Sequence, residues 1–443
     1  MKNTSGKLGL IACVSLIMGN MIGSGIFLLP TSLAQYGSIS FIGWLISTCG
    51  ALLLAFVFSS LSRAHPATGG PYAYSKAMLG NYIGYQVAVC YWLSAMCSVA
   101  AMLVAFSSYL SAFIPVLKEH RLLSFATSTS LLWLITLMNL TGIKSVKFAQ
   151  VATTVIKVVP LVLIVVFGIF KIKFEYLQAF NVSHYSNFSA ATMSAILTTW
   201  ALMGLESATV PAEHVVNPHR TIPLATYIGT LFTALVYIAC SLVMLGIMPV
   251  ELLQSSTSPF VDAGRILFGS WGGTAIGIVA LISAGSACIG WVLIQSEIPL
   301  ACARDGLFPS VFRQINRHKM PAIAMVFSSV IVTIIMTLTV SDKLVDDFTL
   351  LVQYSALGYM LSLLFTAVAA LMTFLRDDHQ SPTLFVKIIL GLLATGYMIW
   401  MIAGSDYEHV YYLFMLLLFS APAYPLIQWW NGRSHHVKEE KAA

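Results

Sequence analysis

The sequence predicts an all-α polytopic membrane protein, and its composition supports this in two ways. The chain of 443 residues is 58% hydrophobic and only 9% charged, whereas soluble domains carry roughly 25% charged residues. Apolar runs of about twenty residues recur along the whole chain, and each is long enough to cross a hydrocarbon core of about 30 Å. A transmembrane β-barrel would show short segments of alternating hydrophobicity instead.

Twelve transmembrane helices are predicted from these apolar runs. Their expected positions are 8–35, 38–62, 80–114, 122–141, 148–170, 187–211, 223–247, 271–303, 321–340, 347–375, 383–404 and 408–430. With the N-terminus inside, the inner loops and tails hold 16 Lys and Arg residues and the outer loops hold 6. Cytoplasmic loops are enriched in these residues. We therefore expect a multi-pass protein of the cell inner (plasma) membrane with both termini cytoplasmic.

The net charge of +6 reflects this topology, so the lipid bilayer is an expected partner and nucleic acid is not. The chain shows no phosphate-binding P-loop motif, no cysteine or histidine spacing typical of a metal site, and no nucleophile–base constellation. The sequence therefore predicts no metal, no cofactor and no enzymatic activity.

Two predicted spans contain breaks rich in glycine and small polar residues. The first span carries "GNMIGSGIFLLP" at 19–30, and the sixth carries "TTWALMGLESATVP" at 198–211. Because the breaks are five spans apart, two five-helix units would insert with opposite topology, which is typical of inverted-repeat transporters. Within one transporter domain, 1–443, we expect repeat one at about 8–172, repeat two at about 187–375, and two extra helices at about 383–430.

A broken helix survives in lipid only where it lines a polar cavity, and its ends expose free N–H and C=O groups. An amino acid zwitterion fits such ends. Its carboxylate would bind the amides near Gly23, Ser24 and Gly25, and its ammonium would bind the freed carbonyls. The alternative is that these glycines only allow close helix packing; the second break favours the binding-site interpretation.

Two charged residues inside predicted spans are candidates for gating or proton coupling. Glu206, beside Gly204 and Ser207, could be a proton-linked switch or a structural acid bonded to backbone N–H groups. Lys157, alone in the fifth span, could be a fixed positive charge where a sodium ion would otherwise bridge the first and fifth helices. It could equally carry a coupled proton, or serve as a structural partner of backbone carbonyls. The sequence leaves these alternatives open.

Tryptophans within predicted spans are further candidates for the site. Trp200 lies in the sixth span and Trp291 in the eighth. A buried tryptophan can gate a cavity or stack on a cationic ligand, and packing alone is the alternative.

Three motifs occur in order, "GNMIGSGIFLLP", "WALMGLESATVPAEHVVNPHRTIPLAT" and "GWVLIQSEIPLACARDGLFPSVF". Together they resemble the amino acid–polyamine–organocation transporters, and especially the bacterial basic amino acid/polyamine antiporters. The resemblance covers nearly the whole chain. It implies a LeuT-like five-plus-five inverted repeat with broken helices 1 and 6 and two further helices, often in a homodimer. It also implies exchange of an amino acid against a related amino acid or amine. Proton-coupled amino acid symport is the alternative, and a non-transporting amino acid sensor is a third hypothesis.

The resemblance also implies roles for individual residues. It implies that Ser24 and Gly25 bind the substrate carboxylate and that the backbone of Met21, Trp200 and Met203 binds the α-amino group. It also implies that Trp200 and Trp291 contact the substrate and that Glu206 takes part in a response to pH. Lys157 is similar to the fifth-helix lysine of proton-coupled permeases and of some exchangers, so it does not decide the mode of coupling.

The sequence departs from the arginine/agmatine antiporter at two positions. Val99 aligns with an asparagine near the distal group of the substrate, and Leu363 aligns near a gating tyrosine. Both departures predict a more apolar pocket.

Overall fold

The computed structural model describes residues 9–23, 25–64, 70–141, 144–177, 180–207, 209, 215–338, 343–377 and 382–440. Residues 144–153, 377 and 432–440 are described by their backbone alone.

Helices make up almost all of the regular secondary structure in this part of the chain. In chain order they are α1 Leu10–Met21, α2 Gly25–Ala34, α3 Ser40–Ala64, α4 Pro71–Leu79, α5 Asn81–Leu110, α6 Val116–Glu119, α7 Arg121–Leu140, α8 Lys144–Gly168, α9 Asn187–Ala201, α10 Pro218–Ile247, α11 Val250–Ser255, α12 Pro259–Arg304, α13 Ala322–Leu338, α14 Leu344–Asp377, α15 Leu384–Ala403, α16 Tyr407–Ser420 and α17 Ala423–Glu440.

Within the described ranges, nine helical stretches are long and apolar enough to span a membrane, and α1 with α2 makes a tenth if the bent pair is one span. These ten coincide with ten of the twelve predicted spans. The other two predicted spans contain α9, which has 15 residues, and α13, which has 17. The chain is thus a polytopic helical membrane protein, and the twelve-span inverted repeat stays a prediction.

The first break separates α1 from α2, whose axes differ by 44°. The backbone leaves the helix at Ile22, which has φ −77° and ψ 80°. The amide of Gly23 then turns back to the carbonyl of Met21 at 2.8 Å. The chain re-enters a helix at Gly25, so the interruption is short and lies inside the apolar run.

The second break follows α9, which ends at Ala201 although the predicted span continues to 211. Residues 202–207 form turns, and Gly204 has φ +101°, a conformation that glycine adopts without steric cost. A Cβ atom at Gly204 would lie 3.3 Å from the Cβ of Asn20, so the two breaks touch. The rest of this predicted span, 208 and 210–214, lies outside the described residues.

Two long helices, α5 and α14, pack side by side behind the breaks. Serines hold them together in the membrane interior: Ser98 Oγ lies 2.6 Å from Ser355 Oγ, and Ser94 Oγ donates to the carbonyl of Ser355 at 2.7 Å. Such small polar residues allow close helix packing in lipid. This pair forms the wall against which the two breaks rest.

Candidate functional site

A narrow cleft lies where the two breaks meet. Its lining residues are Asn20, Met21, Gly23, Gly25, Ser98, Met102, Trp200, Ala201, Met203 and Trp291. The volume open to the centre of a water molecule is about 10 Å³, which is room for about one water. The helices must therefore move apart before the cleft can admit an amino acid.

The structure brings together six of the residues predicted to bind substrate, since Met21, Gly23, Gly25, Trp200, Met203 and Trp291 all line this cleft. Gly204 lies next to it, because a Cβ there would be 3.4 Å from the amide nitrogen of Met21. Ser24 lies outside the described residues.

The last four carbonyls of α1 have no partner within a regular helix, and each one finds a donor elsewhere. In chain order the bonds are Ile22 N to Met18 O (2.7 Å), Lys157 Nζ to Gly19 O (3.1 Å), Trp291 Nε1 to Asn20 O (3.5 Å) and Tyr237 Oη to Met21 O (2.7 Å). The end of α1 is thus held by donors from several surrounding helices, with its partial negative charge at the cleft.

The start of α2 presents the opposite character. The first amides of a helix have no intrahelical partner, and its N-terminus carries partial positive charge. Gly25 is the first residue of α2, and a Cβ at this position would lie only 2.5 Å from Cζ3 of Trp200. The absence of a side chain lets this end of α2 lie directly against the indole.

The indole of Trp200 is fixed by α5 and α14. Its Nε1 donates to Ser98 Oγ at 3.0 Å and to Ser355 Oγ at 3.1 Å. Its ring meets Phe348 edge-on, with centroids 5.6 Å apart. Trp200 therefore forms one wall of the cleft and, with Phe348, closes it toward the start of α14.

Glu206 lies beyond the cleft and is 1% exposed. Tyr91 Oη donates to its Oε1 at 2.8 Å, Tyr359 Oη donates to Oε2 at 2.7 Å, and the amide of Gly204 donates to Oε2 at 3.2 Å. The carboxylate therefore ties the second break to α5 and α14. A change in its charge would alter all three bonds, so the geometry suits a switch as well as a structural anchor.

Lys157 is fully buried, and its ammonium bonds to the carbonyl of Gly19 at the end of α1. This places a basic side chain at the junction of α8 and α1. The arrangement agrees both with a cation standing in for sodium and with a structural partner of a freed carbonyl.

Sequence reasoning missed two contacts that complete the site. Asn20 Nδ2 donates to Ser207 Oγ at 2.9 Å and joins the two breaks directly, and Tyr359 binds Glu206. One feature of the sequence could have indicated them, namely polar residues at helical spacing within an apolar helix. Ser355 and Tyr359 lie four positions apart on α14 and so share a face.

Neither Val99 nor Leu363 is among the lining residues of the cleft. Ser98, one position earlier, supplies a hydroxyl to the wall, and Tyr359, one turn before Leu363, is the tyrosine of α14 that reaches Glu206. Any apolar character of the cleft must come from other residues.

A second, larger cavity of about 820 Å³ lies on the side of the loops predicted to be external. Its lining residues include Tyr36, Lys118, Arg121, Lys343, Asp346, Thr349 and Gln353. We call this cavity the vestibule. Thr349 is the neighbour of Phe348 and shares a 2.8 Å hydrogen bond with Ser32 of α2. Phe348 and Trp200 thus stand between the vestibule and the cleft.

A helical membrane protein whose helices break around an enclosed, partly polar cleft has the architecture of a secondary transporter. The family model of the amino acid permeases matches residues 8–427. The chain therefore belongs to the amino acid permease family and is a membrane transporter, not an enzyme.

Several named transporters resemble the chain over most of their length. It is 29% identical to the cadaverine/lysine antiporter of Escherichia coli (strain K12) over 409 residues, which cover 91% of each chain. It is 28% identical to the putative arginine/ornithine antiporter of Bacillus subtilis (strain 168) over 473 residues, which cover 99% of each. It is also 27% identical over 398 residues to the putrescine transporter of Haemophilus influenzae, covering 88% of this chain and 91% of that relative.

Proposed function

We propose that the protein exchanges an amino acid against a related amino acid or amine by alternating access across the cell inner membrane. The observation that carries the proposal is the cleft between two oppositely polarised helix ends, the carbonyl end of α1 and the amide end of α2. Antiporters of amino acids and amines among the relatives support the exchange mode.

The proposed binding mode assigns the substrate carboxylate to the amides of Gly23, Ser24 and Gly25 at the start of α2. The ammonium would bind carbonyls of Met21, Trp200 and Met203. In this closed arrangement the Met21 carbonyl accepts from Tyr237 and from the amide of Gly23. The mode therefore requires the Gly23 amide to turn to the substrate carboxylate, which frees one of the two lone pairs of the carbonyl for the ammonium. Trp200, Trp291 and Gly204 would enclose the rest of the substrate. This mode requires Trp200 to move, since its ring fills the space above Gly25.

The proposed transport cycle has two barriers, one on either side of the cleft. Trp200 and Phe348 close the path from the vestibule, and Glu206 with Tyr91 and Tyr359 closes the opposite side. Substrate that separates Trp200 from Gly25 would weaken the first barrier. Movement of the second break would release the tyrosines from Glu206 and open the other side.

Proton-coupled symport is the second candidate function, and one observation favours it. Two ionisable groups, Glu206 and Lys157, are buried beside the two breaks, where a protonation change would be felt by the helices that form the site. Glu206 is our candidate for gating, and Lys157 for a fixed or coupled charge.

Proteoliposomes distinguish the two functions. For an exchanger, uptake of a labelled substrate should depend on unlabelled substrate inside and should persist when the pH gradient is collapsed. Uptake that needs a pH gradient and no internal substrate would replace exchange with symport. Empty liposomes and the variant Gly25→Leu, with its cleft blocked, serve as controls.

A further inference from the structure

We infer that the exchanged substrate carries an uncharged, apolar side chain, so that the cleft selects neutral amino acids over cationic amino acids and diamines. The inference rests on the proposed function, because it assigns the side-chain part of the same cleft. It separates this chain from relatives whose names specify cadaverine, lysine, ornithine or putrescine.

Thioether and indole groups dominate the side chains that line the cleft. Met102 reaches the first break, since its Cε lies 3.6 Å from a Cβ built at Gly23. Met203, Trp200 and Trp291 line the remaining wall. Methionine adapts its shape to apolar groups. No carboxylate belongs to the described residues of this lining, so a distal ammonium would meet no counter-charge there.

The polar side chains of the cleft are already engaged with one another. Ser98 accepts from Trp200 Nε1 and contacts the hydroxyl of Ser355, and Asn20 donates to Ser207. A cationic head group needs several acceptors when it is removed from water. To find them here it would have to break the bonds that hold Trp200 and the two breaks in place.

The acid nearest the second break is also already hydrogen-bonded to protein groups. Glu206 takes hydrogen bonds from Tyr91, Tyr359 and the amide of Gly204. On the other side of the breaks, Lys157 sits on the carbonyl of Gly19, next to the cleft residue Asn20. A lysine at this position supplies no counter-charge to a cationic substrate side chain, and in its protonated form it repels one.

The vestibule adds a second layer of selection. Three cationic side chains line it, Lys118, Arg121 and Lys343, against the carboxylate of Asp346. Among the described residues of this lining, cationic side chains outnumber carboxylates, and Arg121 is paired with Asp347. An excess of cationic side chains disfavours the approach of cations more than that of zwitterions.

The test uses the purified full-length protein with leucine, methionine, lysine, ornithine, putrescine and cadaverine. Ligand-induced thermal stabilisation measures binding, and counterflow in liposomes measures exchange. We expect leucine or methionine to stabilise the protein and to exchange at least about tenfold faster than any cation. Equal or faster exchange of the cations would overturn the inference and leave the exchange function standing.

The same test shows whether the exchange function fails while the selectivity for neutral amino acids holds. Stabilisation by neutral amino acids without counterflow would remove exchange and keep the selectivity. A protein that neither binds nor exchanges any of the six compounds would defeat both proposals.

A paired substitution tests the location of selectivity. Asp at position 98 can accept the Trp200 hydrogen bond and adds a carboxylate to the cleft, whereas Asn is its uncharged match. We expect S98D to raise the ratio of lysine to leucine binding at least about tenfold relative to S98N. An equal ratio in the two variants, each with a folded elution profile, would show that the substrate side chain does not lie in this cleft.

Discussion

Gly25 and Trp200 are in contact across the two breaks, with only 2.5 Å between the position of a Cβ on Gly25 and Cζ3 of Trp200. Real Cβ atoms do not approach another atom so closely, so this contact exists only because residue 25 has no side chain. The relationship joins the amide end of α2 to the indole that forms one wall of the cleft.

Substitution of Gly25 tests this relationship. Gly25→Ala should reduce transport at least about tenfold, because the added methyl group forces Trp200 or α2 to shift at the site, and Gly25→Leu should abolish transport. Gly285→Ala is the matched control, since a Cβ there meets no atom within 4 Å. Initial uptake rates, normalised to the amount of protein in the membrane, measure the effect. Normal uptake by Gly25→Leu would refute the proposed site.

Replacement of Glu206 by Gln should flatten the dependence of transport on pH. The amide keeps the shape of the side chain but loses the charge that receives the hydroxyls of Tyr91 and Tyr359. Initial rates across a pH series, with equal pH on both sides of the membrane, provide the measurement.

Tyr359→Phe serves as the control for this prediction. It removes one donor and keeps the carboxylate, so the rate should fall while the pH dependence remains. If Glu206→Gln retains the wild-type pH profile, Glu206 is a structural anchor only.

From the position of Lys157 we predict that transport does not require sodium. Its ammonium already occupies the carbonyl of Gly19 at the end of α1, where a sodium ion would otherwise join α1 and α8. Replacement of external sodium by choline should therefore leave the uptake rate unchanged. A loss of more than about half of the rate would contradict this role. Lys157→Ala, which vacates the position, should lower uptake in both media.

We predict that substitution of the buried Gln295 raises the thermal stability of the protein. Its side chain is 0% exposed, and neither Nε2 nor Oε1 has a hydrogen-bond partner among the residues that the structure describes. A buried polar group left unpaired costs about 1–3 kcal/mol, so Gln295→Met should raise the midpoint of thermal unfolding in detergent by at least about 1 °C.

Gln254 offers the matched comparison for this prediction. Its Nε2 donates to the carbonyl of Ala34 at 3.0 Å, so Gln254→Met removes a bond and should lower the midpoint or leave it unchanged. A lower midpoint for Gln295→Met would show that the amide has a stabilising role that its burial does not explain.

Much of the helical architecture could be read from the sequence because hydrophobicity is a local signal. The predicted span 80–114 became α5, and 383–404 became α15, each within a few residues. The glycines at 23 and 25 also marked the first break correctly. The predicted start of the eighth span at 271 lies two residues after Gly269, where a φ of +74° interrupts α12 and separates its first turns from the long apolar stretch.

The partners of the site residues could not be predicted in the same way. Glu206 and Tyr359 are separated by 153 positions, and Asn20 and Ser207 by 187. Nothing in either local segment specifies the other, since such pairs form only when the helices pack. For the same reason the sequence did not indicate that Ser98, rather than Val99, lines the cleft of this structure.

By itself, the sequence determined that the chain crosses the membrane as helices, that the first span is interrupted, and that the sixth leaves the helix near its glycine, because apolar run length and glycine content act through local backbone energetics. The tertiary structure alone decided that both interruptions face one another against α5 and α14, that Trp200 closes over Gly25, and that Glu206 is held by two tyrosines. Those relationships depend on which side chains meet when distant helices pack, and packing in lipid is governed by close fit and hydrogen bonding between helices rather than by hydrophobicity along the chain.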